Sequence, residues 1–336
     1  MSMRNVYWIL CIVANSVVGQ KTDLNSFLND AIFFGDKYIS TMSDAAVYQS
    51  SSAWMTSPRK RKFGAVTVGV NTNFFIVAPN DKTFQVANTD FAFLQIENQN
   101  TLNAQTALGG LDVNYLVGNL EVAFQPGIIT SIPIRIETPK GIDQNVIIYP
   151  YLQAAVSLWY GTEIAVKYST KTKLKKCDYQ VYGFGIKHNL SQYFNYLQAN
   201  KVHLAAMASL SKEEINFQFL DVAIPYIGSI GIDEIVSKVV TKQFQINVSK
   251  DFKNWELQAG LIVNNSDFKY QFAGSDSANV SGLKEQLNEK IKEIAKNKTN
   301  VLGELSARYH LKKIFLQPTL AFGKFLNTNV AVQYEF

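Results

Sequence analysis

His188, His203 and His310 are the only imidazoles in this 336-residue chain, and catalysis or metal binding would be expected to draw on them first. A zinc site needs several imidazole, thiolate or carboxylate ligands converging on one point, and an enzyme needs a base within hydrogen-bond reach of a nucleophile. The three histidines fall on three separate segments with no short metal-ligand spacing. Cys11 and Cys177 are the only cysteines. If Cys11 leaves with an export signal, Cys177 has no partner, so neither a disulfide framework nor a cysteine-based metal site can form. Cys177, beside Lys175 and Lys176, reads as a loop cysteine without catalytic work. No glycine-rich phosphate loop leads from a strand into a helix; Gly183 and Gly185 lie inside a strand pattern, where glycine serves curvature or close packing. The expectation is a non-enzyme with no cofactor and no metal. The net charge of +5 is spread singly over the chain with no basic stripe interleaved with aromatics, so nucleic acid is not an expected partner.

One group of residues asks for a different chemistry. Leu24, Phe27, Leu28, Ala31, Phe34 and Tyr38 recur at spacings of three and four behind a possible cap at Thr22 or Asp23, which predicts a short amphipathic helix over residues 22–39. A small polar stretch, Ser40 to Ser57, and a basic run, Arg59 to Lys62, follow it. An aromatic helix with no soluble core to join must find cover elsewhere, and Phe27, Phe34 and Tyr38 become candidate contacts for a small hydrophobic ligand.

What positions that helix is read from the rest of the chain. Hydrophobic residues make up 47 % and charged residues 18 %, with 22 Phe and 16 Tyr, yet every apolar run after the first twenty residues is too short for a spanning helix. The first nineteen residues have the layout of a secretory signal: Arg4, an apolar run from Val6 to Ala14, and small residues ending at Gly19, where cleavage is expected. From about residue 62 the dominant period is two. Val66, Val68, Val70, Thr72, Phe74 and Ile76 share one face, with Ala65, Thr67, Gly69, Asn71 and Asn73 on the other. Around Tyr160-Gly161-Thr162 a hairpin with a three-residue loop pairs Leu158 with Ile164 and Val156 with Val166, with a positive φ expected at Gly161. Trp255, Leu257, Ala259, Leu261 and Val263 alternate with Glu256, Gln258 and Gly260; a turn is read at Asn264 to Asp267, and Phe268, Tyr270 and Phe272 then return along the same apolar face.

At the end of the chain Val330, Val332, Tyr334 and Phe336 alternate with polar neighbours, which resembles the C-terminal assembly signal of bacterial outer-membrane barrels. Lipid cannot satisfy backbone N–H and C=O groups, so a sheet survives there only by closing on itself. Fifteen strands can be marked between residues 62 and 336, including 84–97, 112–125, 129–138, 201–210, 213–222, 254–263 and 267–273. An even count with both ends periplasmic reduces this to about fourteen. The expected fold is therefore all-β, a transmembrane antiparallel β-barrel over residues 62–336, preceded by a signal over 1–19 and a helical plug over 20–61. The turns at Gly161, Asn265 and Lys312-Lys313 then lie at the periplasmic rim and residues 274–301 outside, where Leu283, Leu287, Ile291 and Ile294 form a helical stripe over Gly282 to Asn297.

The helix, the Ser-rich segment with Trp54, the strand from Phe63 to Ala78, Leu158-Trp159-Tyr160-Gly161-Thr162-Glu163 and Val181-Tyr182-Gly183-Phe184-Gly185-Ile186-Lys187-His188 together resemble an uncharacterised family of Bacteroidota outer-membrane proteins, described only by a domain of unknown function and similar to long-chain fatty-acid transporter barrels. The resemblance implies a Gram-negative outer-membrane location, a barrel of about fourteen strands and a plugged lumen. It names no ligand-binding residue. The expected function is a channel or transporter for small hydrophobic molecules, with outer-membrane lipid and the barrel assembly machinery as partners. The alternative is a structural or adhesive surface protein that binds through its outer loops.

Overall fold

The computed structural model describes residues 21–125, 128–175, 177–218, 223–224, 228–229, 233–274 and 283–336. The expected signal, with its cut after Gly19, lies outside these residues, as does Gly282. Ten strands make the wall: β1 (Val66–Ile76), β2 (Val146–Ser157), β3 (Thr162–Tyr168), β4 (Cys177–Asn189), β5 (Val202–Gln218), β6 (Glu234–Phe252), β7 (Trp255–Ala273), β8 (Lys296–Leu311), β9 (Ile314–Phe322) and β10 (Leu326–Glu335). Each pairs antiparallel with the next, and β10 returns to β1 with Thr67 opposite Glu335 and Phe75 opposite Asn327, so the sheet has no free edge.

The outward face is apolar and the inward face polar. Val68, Val70, Leu152, Val166, Phe184, Ile186, Phe244, Ile246, Leu257, Leu261, Leu305, Leu316 and Val332 are exposed on the outside, while Thr67, Asn71, Asn73, Gln153, Gln245, Asn247, Gln258, Asn264, Gln317 and Gln333 are buried within. This inverts a soluble barrel and matches hydrocarbon outside with a hydrated or filled interior. At one end the connections are short turns apart from residues 190–201 between β4 and β5, and Phe63 stacks on Trp159 with ring centroids 4.6 Å apart while Tyr334 packs on Phe336. At the other, the loop end, the chain makes its long excursions.

Ten strands replace the expected fourteen. Residues 201–210 continue into 213–218 as one strand, β5, and 254–263 with 267–273 are one strand, β7. No turn interrupts β7 at Asn264 to Asp267; Asn265 pairs with Lys242 on one side and Thr299 on the other. The polar breaks that read as turns mark where long strands leave the apolar band. Strands β6 and β7 are 19 residues each, well beyond the 9–11 or so that a bilayer requires. Because the alternation runs on without a turn, Phe268, Tyr270 and Phe272 point inward.

The segments 84–97, 112–125 and 129–138 are not in the wall either. They belong to the excursion between β1 and β2, where Thr83–Ala87 pairs with Thr101–Gln105, and Gln95–Ile96, Tyr115–Gln125 and Ile128–Glu137 form a separate three-stranded sheet. Their aromatic residues pack on the N-terminal helix instead of facing lipid. The β2–β3 hairpin also differs in register from the sequence reading: Val156 pairs with Ile164 and Ala154 with Val166. The loop keeps three residues but lies one position earlier, Trp159–Gly161, closed by the Leu158 N–H on the Thr162 carbonyl, with both Tyr160 (φ 55°) and Gly161 (φ 70°) left-handed. A shift of two residues keeps every side chain on its original face, so the apolar set still points outward.

The outward band yields a direct test. Leu261, 56 % exposed at the middle of β7, replaced by Arg is expected to lower stability by about 2–4 kcal/mol, as for a cation placed on lipid-facing wall near the bilayer midplane. Lys242→Leu, beyond the band, is expected to change it by less than about 0.5 kcal/mol. Denaturant titration of the barrel refolded into vesicles measures both, and equal effects would show that the band does not face lipid.

Candidate functional site

A ten-stranded wall with small polar residues inside leaves a bore, and the N-terminal segment fills it. Helix α1 (Lys21–Ser51) enters from the loop end and descends between the inner faces of β5, β6 and β7. Sequence periodicity ended this helix at residue 39, because Ser40 to Ser51 has no one-sided apolar stripe. Inside a bore none is required: Met42 to Ser51 is buried on every side, and small residues such as Ser43, Ala45, Ala46 and Ser50 let the helix fit.

At the loop end α1 is fastened by charge and ring packing. The Asp30 carboxylate accepts hydrogen bonds from the backbone N–H groups of Ala92, Phe93 and Leu94 at 2.7–2.9 Å. Lys298 and Lys324 reach Asp44 at 2.6 and 2.8 Å, and Lys296 pairs with Asp36. A second helix, α2 (Leu283–Ile291), packs against β7 and α1.

Below Ser51 the chain runs extended along the bore, and the wall supplies its hydrogen bonds. Helix α1 ends at Ala53, which is left-handed at φ 56°. The Lys167 ammonium sits on this helix C-terminus, donating to the carbonyls of Ser50 at 2.9 Å and Ser52 at 2.8 Å. That position gives the Ser52 carbonyl its donor, gives the Ser50 carbonyl a second one beside the Trp54 indole N–H at 2.7 Å, and sets a cation against the negative end of the helix dipole. Trp54, 1 % exposed, lies 4.6 Å from the same ammonium. Glu304 accepts the Ala53 N–H at 2.7 Å. Gln243, Gln153 and Gln258 donate to the carbonyls of Ser51, Trp54 and Met55, and Asn189 to that of Pro58.

Toward the turn end the contacts become ionic. Arg61 donates to Glu163 at 2.7 Å and stands 3.2 Å from Glu335; Lys187 completes the group, 3.0 Å from Glu163 and 2.9 Å from the Ser57 carbonyl. Burial works against the charge on Arg61, but Glu163 and Glu335 outweigh it and hold the guanidinium above the ordinary arginine range. The wall touches this segment mostly through peptide groups, which any sequence of suitable size presents, and through a few charges placed singly on inward positions. One cavity along the inner wall between β1, β2 and β10, lined by Thr56, Thr67, Gln153, Ala155 and Gln333, is about 10 Å³, too little for a ligand.

Of the candidate contacts, Phe27, Phe34 and Tyr38 are all buried in the loop-end cluster. Phe27 meets Phe93 edge-on at 5.8 Å, Phe34 meets Phe84 at 5.2 Å and Tyr38 meets Phe217 at 5.2 Å, while the Tyr38 hydroxyl donates to the Lys140 carbonyl. The helix therefore finds its cover partly in the excursion. The histidines remain apart: His188 bonds Thr162 and Tyr193, His203 bonds Asp251, and His310 lies near the turn-end mouth. Cys177 is buried at the start of β4, not placed on a loop. From the sequence Glu163 and Lys167 point away from the apolar face and Lys187 with His188 reads as an interfacial pair, but none of them, nor Glu304 or Arg308, is assigned to holding the plug; Lys187 is in fact buried against Glu163. Their signal was available: each is a lone charge on the otherwise small and polar phase of an alternating strand.

The chain belongs to a family of unknown function (DUF6588), whose model matches residues 3–336. No curated protein matches it. Among solved structures it is similar to the translocator domain of the autotransporter NalP from Neisseria meningitidis, at 8 % identity and TM-score 0.35, covering 90 % of this chain and 99 % of that one. It is also similar to the attachment invasion locus protein Ail of Yersinia pestis, at 7 % identity and TM-score 0.27, covering 82 % and 100 %. An outer membrane channel from Pseudomonas putida F1 matches at 10 % identity and TM-score 0.27, covering 85 % and 100 %.

The helix-end contact is testable by itself. Lys167→Met leaves the Ser52 carbonyl without its donor and the Ser50 carbonyl with the Trp54 indole alone, at a cost of about 1–3 kcal/mol for the group left bare. Hydrogen exchange in residues 49–58 is expected to accelerate at least tenfold, with exchange in β6 and β7 unchanged. Unchanged exchange in residues 49–58 would mean that the plug is held without this lysine.

Proposed function

We propose that this member of a family of unknown function is an outer-membrane conduit, exported by the signal at residues 1–19, whose lumen is closed by its own N-terminal segment and opens when that segment shifts. One observation carries the reading: the stretch from Gln49 to Arg61 is held in the bore mainly by hydrogen bonds and ion pairs, with one small apolar cluster, Trp54 and Met55 against Ala155, Ala165, Ala205 and Met207, at its extended part. Contacts of this kind are exchanged for water at modest net cost, about 0.5–1.5 kcal/mol each, whereas an apolar core resists wetting. The apolar outer band takes lipid as its partner, and β10 with Phe336 takes the assembly machinery.

The cargo class we favour is a small hydrophobic or amphiphilic molecule. The aromatic collar of Phe27, Phe34 and Tyr38 supports it as the apolar surface such a molecule meets at the loop end. The collar is packed on itself, so admission requires the same movement of α1 as opening. The resemblance to long-chain fatty-acid transporter barrels points to the same class. We read the protein as a conduit, not an enzyme.

The structured excursion between β1 and β2 favours a second reading, a surface protein that binds a partner at its loop end. Removing α2 with its loop should then abolish attachment and leave permeability intact.

The conduit reading is checked by locking the plug. The Ser51 hydroxyl accepts a hydrogen bond from the Asn264 amide at 2.8 Å, so Ser51→Cys with Asn264→Cys places two thiols within reach, and buried Cys177 stays out of the exchange. In planar bilayers the wild type is expected to show conductance steps that disappear on oxidation of the double variant and return on reduction. Deleting residues 21–58 is expected to give a permanently conducting pore. A wild type that never conducts, or conductance indifferent to the lock, would sink the proposal.

A further inference from the structure

The turn-end mouth holds a second feature that the closed lumen does not explain. Below the plug lies a cavity of about 690 Å³ lined by Arg59, Lys60, Arg61 and Lys62 from the plug segment and by Arg308, His310, Lys312, Phe315 and Glu335 from the wall. Six of its lining residues carry guanidinium or ammonium groups, against one acidic side chain, Glu335. Arg61 is occupied by Glu163 and Glu335, whereas Lys60, Lys62 and Lys312 have no ion-pair partner among the described residues, and Arg59 has only Asp251 at 4.0 Å. A concave site of one sign between low-dielectric walls focuses its field on the space it encloses.

Arg308 makes this more than a basic surface. Its side chain is 2 % exposed, and its Nε and Nη2 atoms have no hydrogen-bond partner. The nearest carboxylate oxygens, on Glu256 and Glu335, stand 3.7 and 3.9 Å away, beyond hydrogen-bond reach. Glu256 is already committed through its other oxygen to Ser57 and Ser249 at 2.7 Å. The Phe315 ring lies 3.7 Å from the guanidinium carbon and fixes its plane. Nε and Nη2 are the two donors of one guanidinium edge, the edge that grips an oxyanion side-on through two parallel hydrogen bonds. A buried donor pair left open costs stability unless something occupies it.

We infer that this mouth is a binding site for a phosphate-type oxyanion, gripped by the Nε–Nη2 edge of Arg308 and neutralised by Lys60, Lys62 and Lys312. Since the cations come from both the plug segment and the wall, the bound anion bridges the two. The phosphate belongs either to a soluble molecule at the turn end or to an anionic lipid headgroup, because Phe63 and Phe336 at the cavity lip are exposed toward the lipid side. The inference concerns binding alone and holds whether or not the plug opens.

The test uses the full chain refolded in zwitterionic detergent and titrated calorimetrically with inorganic pyrophosphate at constant ionic strength. Saturable binding is expected, weakened at least tenfold by Arg308→Met. Because Arg308 is buried, the more exposed pair Lys60→Gln with Lys312→Gln serves as a second variant and is expected to weaken binding to a similar degree with the barrel intact by heat-shift electrophoresis. A parallel arm measures retention of phosphatidylglycerol by the protein in phosphatidylcholine nanodiscs. Lipid retention lost in both variants, with no pyrophosphate binding, assigns the phosphate to a headgroup. Absence of both activities, an equal response to sodium chloride, or binding untouched by either variant overturns the inference.

Discussion

An extended segment enclosed by a sheet must find donors for its peptide carbonyls in the wall, and the carbonyls of Ser51, Ser52, Trp54, Met55, Ser57 and Pro58 do so. This constraint orders the rest of the molecule. The wall answers it with amides from Gln153, Gln243, Gln258 and Asn189 and with two ammonium groups, Lys167 and Lys187. Those lysines in turn require counter-charge nearby, which Glu163 supplies directly to Lys187 and Glu304 supplies across the bore while holding the Ala53 N–H. The match is to the carbonyls of the segment: the amide N–H groups of Gln153, Gln243 and Gln258 are used, while their Oε1 atoms have no hydrogen-bond partner among the described residues. The inward phase of the strands is therefore tailored to one particular segment, not merely hydrophilic.

The same requirement explains how much of the fold was legible in the sequence. The period of two, the outward apolar set and the closing strand ending at Phe336 could be read directly, since they depend only on which side of the sheet a residue faces. The number of strands could not. Asn264 to Asp267 has the composition of a turn, yet it lies where β7 rises out of the apolar band and pairs on both sides with other polar strands. Its residues report the end of the hydrocarbon, not the end of the strand. The excursion strands 84–97, 112–125 and 129–138 pair with one another instead of with the wall, and Phe84, Phe91 and Phe93 turn toward α1 instead of lipid.

The candidate site was legible only in outline. An aromatic helix seeking cover was visible in the spacing of Phe27, Phe34 and Tyr38, but its continuation to Ser51 was not, because a helix enclosed by polar walls carries no amphipathic signature. The charges that hold the plug show the converse. Lys167 and Glu304 look like ordinary surface residues until the phase of their strands is considered; then each is a full charge pointed into an enclosed space, which demands a partner.

The seam between β1 and β10 joins residues about 260 positions apart in the chain and encircles a segment that precedes both. Pairings of such separation are the slowest to form, since the whole intervening chain must be arranged before they can close. Helix α1 and its extension already lie inside the ring that this last pairing completes. With that seam shut the plug has no sheet edge to leave by, so any movement of it runs along the bore and not sideways through the wall.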